Sequence, residues 1–158
     1  MQAQEKGYEG SFELGKTTPS FDLETAVDNV YPFDHITPQF LEEKLELFRG
    51  SIKQVPPQFS AVKVNGKRAY EHARKGKKIE LKVRDTHISK FEVDQSLFPS
   101  LKFRIQCSKG TYIRSLARDL GYALDSGAYM SSLTRTSIGN YLLGDAIQIS
   151  DIKDSEDF

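Results

Sequence analysis

From Leu101 to Cys107 the chain alternates without a break, Leu101, Phe103, Ile105 and Cys107 against Lys102, Arg104 and Gln106. A period of two is a half-buried strand. Its register is tightly specified, because a slip of one residue would turn every apolar side chain to solvent. Ser108-Lys109-Gly110-Thr111 then turns the chain straight into a helix from about Tyr112 to Leu124, with Leu116, Leu120, Ala123 and Leu124 on its inner face. A strand with one apolar face and a helix with one apolar stripe must bury each other. Whatever fold the chain adopts is built around that unit.

The remaining elements extend it. Lys6 to Leu14 reads as a strand with Tyr8, Phe12 and Leu14 inward. Gly15 to Asp22 and Asp28 to His35 carry loop chemistry. Thr37-Pro38 is a helix N-cap followed by proline at the first helical position. Phe40, Leu41, Leu45, Leu47 and Phe48 give that helix its apolar stripe, and Gly50 is expected to stop it. Gln58 to Val64 suggests a short strand, Asn65-Gly66 a tight turn, Lys67 to Lys75 a short basic helix ended by Gly76, and Lys77 to Val93 another strand. Met130 to Thr136 and Asn140 to Leu143 form a final hairpin, and residues 151–158 an acidic, frayed tail. Strands and helices mix without βαβ regularity, so the expectation is an α+β fold with a mostly antiparallel sheet and flanking helices.

Composition narrows the functional classes. In 158 residues, 38% are hydrophobic and 28% charged, the balance of one globular domain rather than a disordered chain. No apolar run approaches the ~20 residues of a membrane helix, and Met1 is followed by Gln-Ala-Gln-Glu rather than a signal peptide. A membrane or secreted protein is not expected, and the cytoplasm is the default location. The single cysteine excludes an internal disulfide and a multi-cysteine metal site. His35, His72 and His87 lack metal-ligand spacing, and no metal is expected. Cys107, inward on its strand, reads as a buried thiol rather than a nucleophile.

The net charge of zero conceals a segregation. Between Arg49 and Lys90 there are 12 Lys/Arg against 3 Asp/Glu, a net of +9, and the remainder of the chain carries −9. Such a segment points to polyanionic partners, nucleic acid first. The competing reading is a solvated basic surface with no partner. Within it, Pro57 to Gly76 places Lys63, Lys67, Arg68, Arg74 and Lys75 on a hairpin-then-helix unit with Phe59, Tyr70 and His72 interleaved. Basic groups hold phosphates and flat rings stack on exposed bases. The other informative segment is Cys107 to Gly121, where side chains just past a core strand are rigidly held yet accessible. Tyr112 and Arg114 are its candidates, against the plainer reading of a core tyrosine and a surface ion pair.

At these residues the chain resembles the bacterial tRNA pseudouridine(55) synthases. The resemblance runs from Lys6 to about Ala146 in one ordered series: Lys6-x-Tyr8, Leu14-Gly15, Thr18, Asp22, Pro56, Ser60-Ala61-x-Lys63, Gly66, Tyr70, Ala73-Arg74, Cys107 to Arg114, and Leu133-x-Arg135-Thr136-x-x-Gly139. Ser20 and Thr25 stand where the family usually has Thr and Gly. The family's catalytic aspartate lies in a His-x-Gly-Thr-Leu-Asp-Pro motif upstream of Lys-x-Tyr, and this sequence contains no such motif.

The resemblance implies a pseudouridine-synthase fold, with residues 1–150 as the C-terminal portion of a catalytic domain and residues 56–80 as an RNA-gripping insertion. It implies isomerisation of a T-loop uridine in tRNA, with no metal or cofactor. Tyr8 would stack on the flipped base, Tyr112 would lie beside the reacting ring, Leu133 would form part of the apolar wall, and Arg114 would pair with the aspartate. Lys63, Lys67, Arg68, Tyr70, Arg74 and Lys109 would contact RNA. The expected partners are the tRNA T-stem-loop and an N-terminal half of the synthase, without which the chain is expected to be inactive and Arg114 to lack a carboxylate partner. The alternative is a non-catalytic RNA-binding module.

Overall fold

A computed structural model describes residues 5–58, 63–64, 67–68, 81–139 and 141–142. Among the described residues, ten strands and two helices follow in chain order: β1 Lys6–Leu14, β2 Lys16–Thr17, β3 Asn29–Val30, α1 Pro38–Glu46, β4 Gly50–Gln54, β5 Lys63–Val64, β6 Lys67–Arg68, β7 Arg84–Leu97, β8 Ser100–Cys107, α2 Ile113–Ala123, β9 Ala128–Ile138 and β10 Tyr141–Leu142. Six strands form one sheet in the order β10-β9-β1-β8-β7-β4, antiparallel at each pairing. The α+β expectation is met.

The alternation in β8 does what its period requires. Leu101, Phe103, Ile105 and Cys107 are buried, and they pair in register with Phe12, Gly10, Tyr8 and Lys6 of β1. Phe12 packs edge-on to Phe91 and tilted against Phe103. Leu116, Ala117, Leu120 and Leu124 of the α2 region close this face, and α1 adds Leu41 and Leu45. Gly121 permits the approach: a Cβ there would lie 2.7 Å from the backbone nitrogen of Ala128 in β9. The opposite face carries Glu9, Ser11, Glu13, Lys102, Arg104 and Gln106, and it is polar rather than an uncovered apolar surface.

Helix α1 starts as expected, with Thr37 Oγ1 accepting from the Phe40 N–H at 3.1 Å. It ends at Glu46, before Gly50, whose φ of +89° instead opens β4. Arg49 fills the gap by bonding Glu42 and Glu46 at 2.6 and 2.7 Å, and these carboxylates raise its pKa further.

The basic segment differs from expectation. Lys63–Val64 and Lys67–Arg68 pair as antiparallel strands, and the turn expected at Asn65-Gly66 lies outside the described residues. Residues 67 and 68 are therefore strand, not the start of a helix, because their backbone is paired with residues 63 and 64. Of the strand expected from Lys77, residues 77–80 lie outside the described residues, 81–83 are in no regular element, and β7 begins at Arg84. The rest of the expected basic helix, and the tail at 151–158, lie outside the described residues.

Candidate functional site

The helix start after β8 is prepared by local bonds. Thr111 Oγ1 donates to the Ser108 carbonyl at 2.8 Å, and Gly110 takes φ +83°, a left-handed turn that favours glycine. Tyr112 is the N-cap of α2 in extended conformation and has no side-chain cap of its own. Its backbone is held instead by Gln54, the last residue of β4. Gln54 Oε1 accepts from the Tyr112 N–H at 3.0 Å, and Gln54 Nε2 donates to the Tyr112 carbonyl at 3.2 Å. The Arg84 guanidinium lies 5.8 Å from the Tyr112 ring centroid.

Arg114, in the first turn of the helix, is not without a carboxylate. Its Nη1 lies 3.7 Å from Asp22 Oδ2 and donates to the Ser20 carbonyl at 3.3 Å. This corrects the expectation of an unpaired guanidinium. The loop that presents Asp22 is cross-bonded: Asp22 Oδ1 accepts from Ser20 Oγ and from the Glu24 N–H, Thr18 Oγ1 donates to the Asp22 carbonyl, and Ser20 Oγ meets Thr25 Oγ1 at 2.7 Å. Ser20 and Thr25, the two departures from the family pattern, thus bond each other. The carbonyl of Phe21, a residue at φ +59°, accepts from the Met130 N–H of β9, which ties the loop to the sheet.

Tyr8 faces the helix-covered side of the sheet and packs half-buried against the core. Its cross-strand partner on β9 is Arg135, whose guanidinium is 5.8 Å from the ring centroid. Leu133 stands opposite Gly10, the next inward position of β1, and is 41% exposed. Tyr8 and Leu133 therefore share the sheet face on which α2 packs, and α2 carries Arg114 at its start. Lys109 is exposed in the turn before α2. Lys63, Lys67 and Arg68 lie on the paired strands β5 and β6, while Tyr70 and Arg74 are outside the described residues.

Other candidates behave as structural groups. His35 Nε2 bonds the Leu124 carbonyl at 2.7 Å, and His87 is exposed on β7. Cys107 is fully buried, and desolvation pushes its thiol pKa up to about 11, the opposite of an activated nucleophile. Among the described residues no group of His, Cys, Asp or Glu is arranged to hold a metal, and no helix is long and apolar enough to cross a membrane. A groove of about 350 Å³ lies on the polar sheet face between Glu9, Glu92, Asp94, Lys102 and Arg104, away from Tyr8.

Residues 1–113 match the TruB family pseudouridylate synthase (N terminal domain), and residues 114–157 match the tRNA pseudouridylate synthase B C-terminal domain. The chain belongs to the TruB family. It is 52% identical over 154 residues to the tRNA pseudouridine synthase B of Parabacteroides distasonis, covering 98% of this chain and 66% of that protein. It is 50% identical over 149 residues to that of Phocaeicola vulgatus, covering 94% and 63%, and 48% identical over 155 residues to that of Flavobacterium johnsoniae, covering 98% and 68%. The chain thus spans about two thirds of the length of these curated relatives. Among solved structures, a chain of the crystal structure of a Cbf5-Nop10-Gar1 complex superposes with a TM-score of 0.62 at 25% identity, covering 90% of this chain and 33% of that one.

Asp22, Gln54, Arg84 and Arg135 are site residues that sequence reasoning does not single out. Asp22 and Arg135 fall within the TruB pattern, but no spacing rule joins Asp22 to Arg114. Gln54 sits at the end of an exposed-looking strand, where nothing in the sequence marks it as buried.

Proposed function

We propose that this chain is the C-terminal portion of a synthase that isomerises the T-loop uridine at position 55 of tRNA to pseudouridine, acting in the cytoplasm without metal or cofactor. Residues 1–150 form the catalytic portion, and residues 56–80 form an insertion that grips RNA through Lys63, Lys67, Arg68, Tyr70 and Arg74, with Lys109 adding a contact. The reaction breaks the N-glycosidic bond, turns the base and rejoins it through carbon. Tyr8 stacks on the extruded base, Leu133 walls it from water, and Tyr112 lies beside the reacting ring.

Arg114 orients the nucleophilic aspartate. The observation that carries this reading is the fixing of Arg114 at the start of α2 by Asp22 and the Ser20 carbonyl. Both contacts use Nη1, and a guanidinium has five N–H donors, so a second carboxylate from an N-terminal half can be accommodated. Without the His-x-Gly-Thr-Leu-Asp-Pro motif the chain by itself makes no pseudouridine.

The test is pseudouridine formation in a T-stem-loop RNA. The expected result is none with the chain alone and turnover when an N-terminal half bearing the aspartate is added. Arg114→Ala should then remove that turnover. Product from the chain alone, or an assembled pair indifferent to Arg114, overturns the proposal. RNA binding with no turnover in the assembled pair favours the non-catalytic RNA-binding module.

A further inference from the structure

The polar atoms of Gln54 are spent on one residue. Gln54 is 2% exposed, and its side-chain amide makes two opposed bonds to the Tyr112 backbone, accepting at 3.0 Å and donating at 3.2 Å. A primary amide offers an acceptor and a donor side by side, so this is the pattern of a β-bridge made by a side chain. The surroundings reinforce it. Val55, the next residue, presents its carbonyl to Ser115 Oγ and Arg118 Nη2 of α2, both at 2.8 Å. Arg84, paired with Gln54 across β4 and β7, lies over the Tyr112 ring. Two residues facing each other on adjacent strands therefore hold the backbone and cover the ring of the same tyrosine.

We propose that Gln54 is the positioning residue for Tyr112, fixing the helix N-cap from which that ring meets the substrate base. It acts through Tyr112 and not on substrate, and the proposal rests on the placement of Tyr112 beside the base. Packing alone would not need an amide here, because a leucine of similar volume would fill the site at lower desolvation cost. The amide matters because the Tyr112 N–H, at the N-cap, has no intrahelical acceptor, and Gln54 Oε1 supplies one in a half-buried site.

The experiment uses the full chain labelled with 3-fluorotyrosine, the Tyr112 resonance being assigned with Tyr112→Phe. Gln54→Leu keeps volume and removes both bonds, whereas Gln54→Glu keeps the acceptor for the Tyr112 N–H. The expected result is a shifted, broadened Tyr112 signal in Gln54→Leu with amide exchange at Tyr112 faster by about tenfold or more. In Gln54→Glu the amide stays protected, and Phe103 and Ile105 amides are unchanged in both. A purely packing role predicts the opposite order, with leucine harmless and the buried acid worse. An unchanged Tyr112 in Gln54→Leu, or that opposite order, overturns the proposal. Should Gln54→Leu not fold, Gln54→Asn, too short to bridge, takes its place with the same expected signature. Titrating T-stem-loop RNA into the unsubstituted chain separates the two readings. A Tyr112 signal unmoved by bound RNA rejects the placement of Tyr112 at the base, while the spectra of the free chain still decide the clamp.

Discussion

Arg114 Nη1 lies 3.7 Å from Asp22 Oδ2, joining the first turn of the helix at Ile113–Ala123 to a loop 92 residues earlier in the chain. The side chains are 18% and 23% exposed, so the pair is neither a surface contact nor a desolvated one. Asp22 arrives there already fixed by Ser20 and by the Glu24 N–H. The entropic cost that cancels most surface ion pairs is thereby partly met within the loop.

Replacing Asp22 with Asn should keep an oxygen for Ser20 and Glu24 but turn an amide donor toward Arg114. A double-mutant cycle of Asp22→Asn with Arg114→Gln, read by urea denaturation, should give a coupling of about 1 kcal/mol, above the usual exposed pair and below a buried one. Strict additivity would show that the two groups do not interact.

Gly121 tests the close approach of helix and sheet. Alanine is favoured over glycine in a helix interior by about 1 kcal/mol. An added Cβ would nevertheless meet the Ala128 nitrogen at 2.7 Å and the Gly127 carbonyl carbon at 2.9 Å, both backbone atoms. Overpacking of that kind costs about 1–3 kcal/mol. The clash should win, and Gly121→Ala should lower the urea midpoint. A raised midpoint would place the helix farther from β9.

Cys107 should give the fold an alkaline weakness. Burial pushes its thiol up to about 11, from 9.0 in an open chain. Below pH 9 both states keep the proton and the contribution is complete. As pH rises toward 11 the unfolded chain releases the proton while the folded one holds it, and stability falls by about 2–3 kcal/mol at most. Cys107→Ala should remove that part of the decline, seen as a flatter unfolding free energy between pH 9 and 11. Equal slopes for the two proteins would count against a desolvated thiol.

The basic window should dominate RNA affinity. Counterion release makes log K fall with log salt in proportion to the number of phosphates neutralised. Changing Lys63, Lys67, Arg68 and Arg74 together to Ala should flatten that slope by about 0.7–0.9 for each phosphate no longer neutralised. An unaltered slope would mean that the window does not touch the backbone.

Local order is legible wherever one physical rule acts within a few residues. The alternation at Leu101–Cys107, the Thr37 cap, and the inward row of Tyr8, Phe12 and Leu14 each follow from periodicity or from one residue's preferences. Expectation and structure part where such a rule competes with pairing. Lys67 and Arg68 suit a helix by composition, yet they pair with Lys63 and Val64 as a strand, and local propensity yields to the ladder.

Charge segregation and the ordered motifs from Lys6 to Gly139 are likewise present in the linear chain, and with them the family. What tertiary structure alone decided is which groups meet. Asp22 reaches Arg114, Gln54 grips Tyr112, and Arg135 covers Tyr8 because strand order, register and the packing of the last helix bring distant residues within hydrogen-bonding or ring-contact range. Polar side chains carry no periodic signature of their partners. Their pairing is a consequence of the core's geometry, and it becomes readable only after the apolar residues have closed the sheet on its helix.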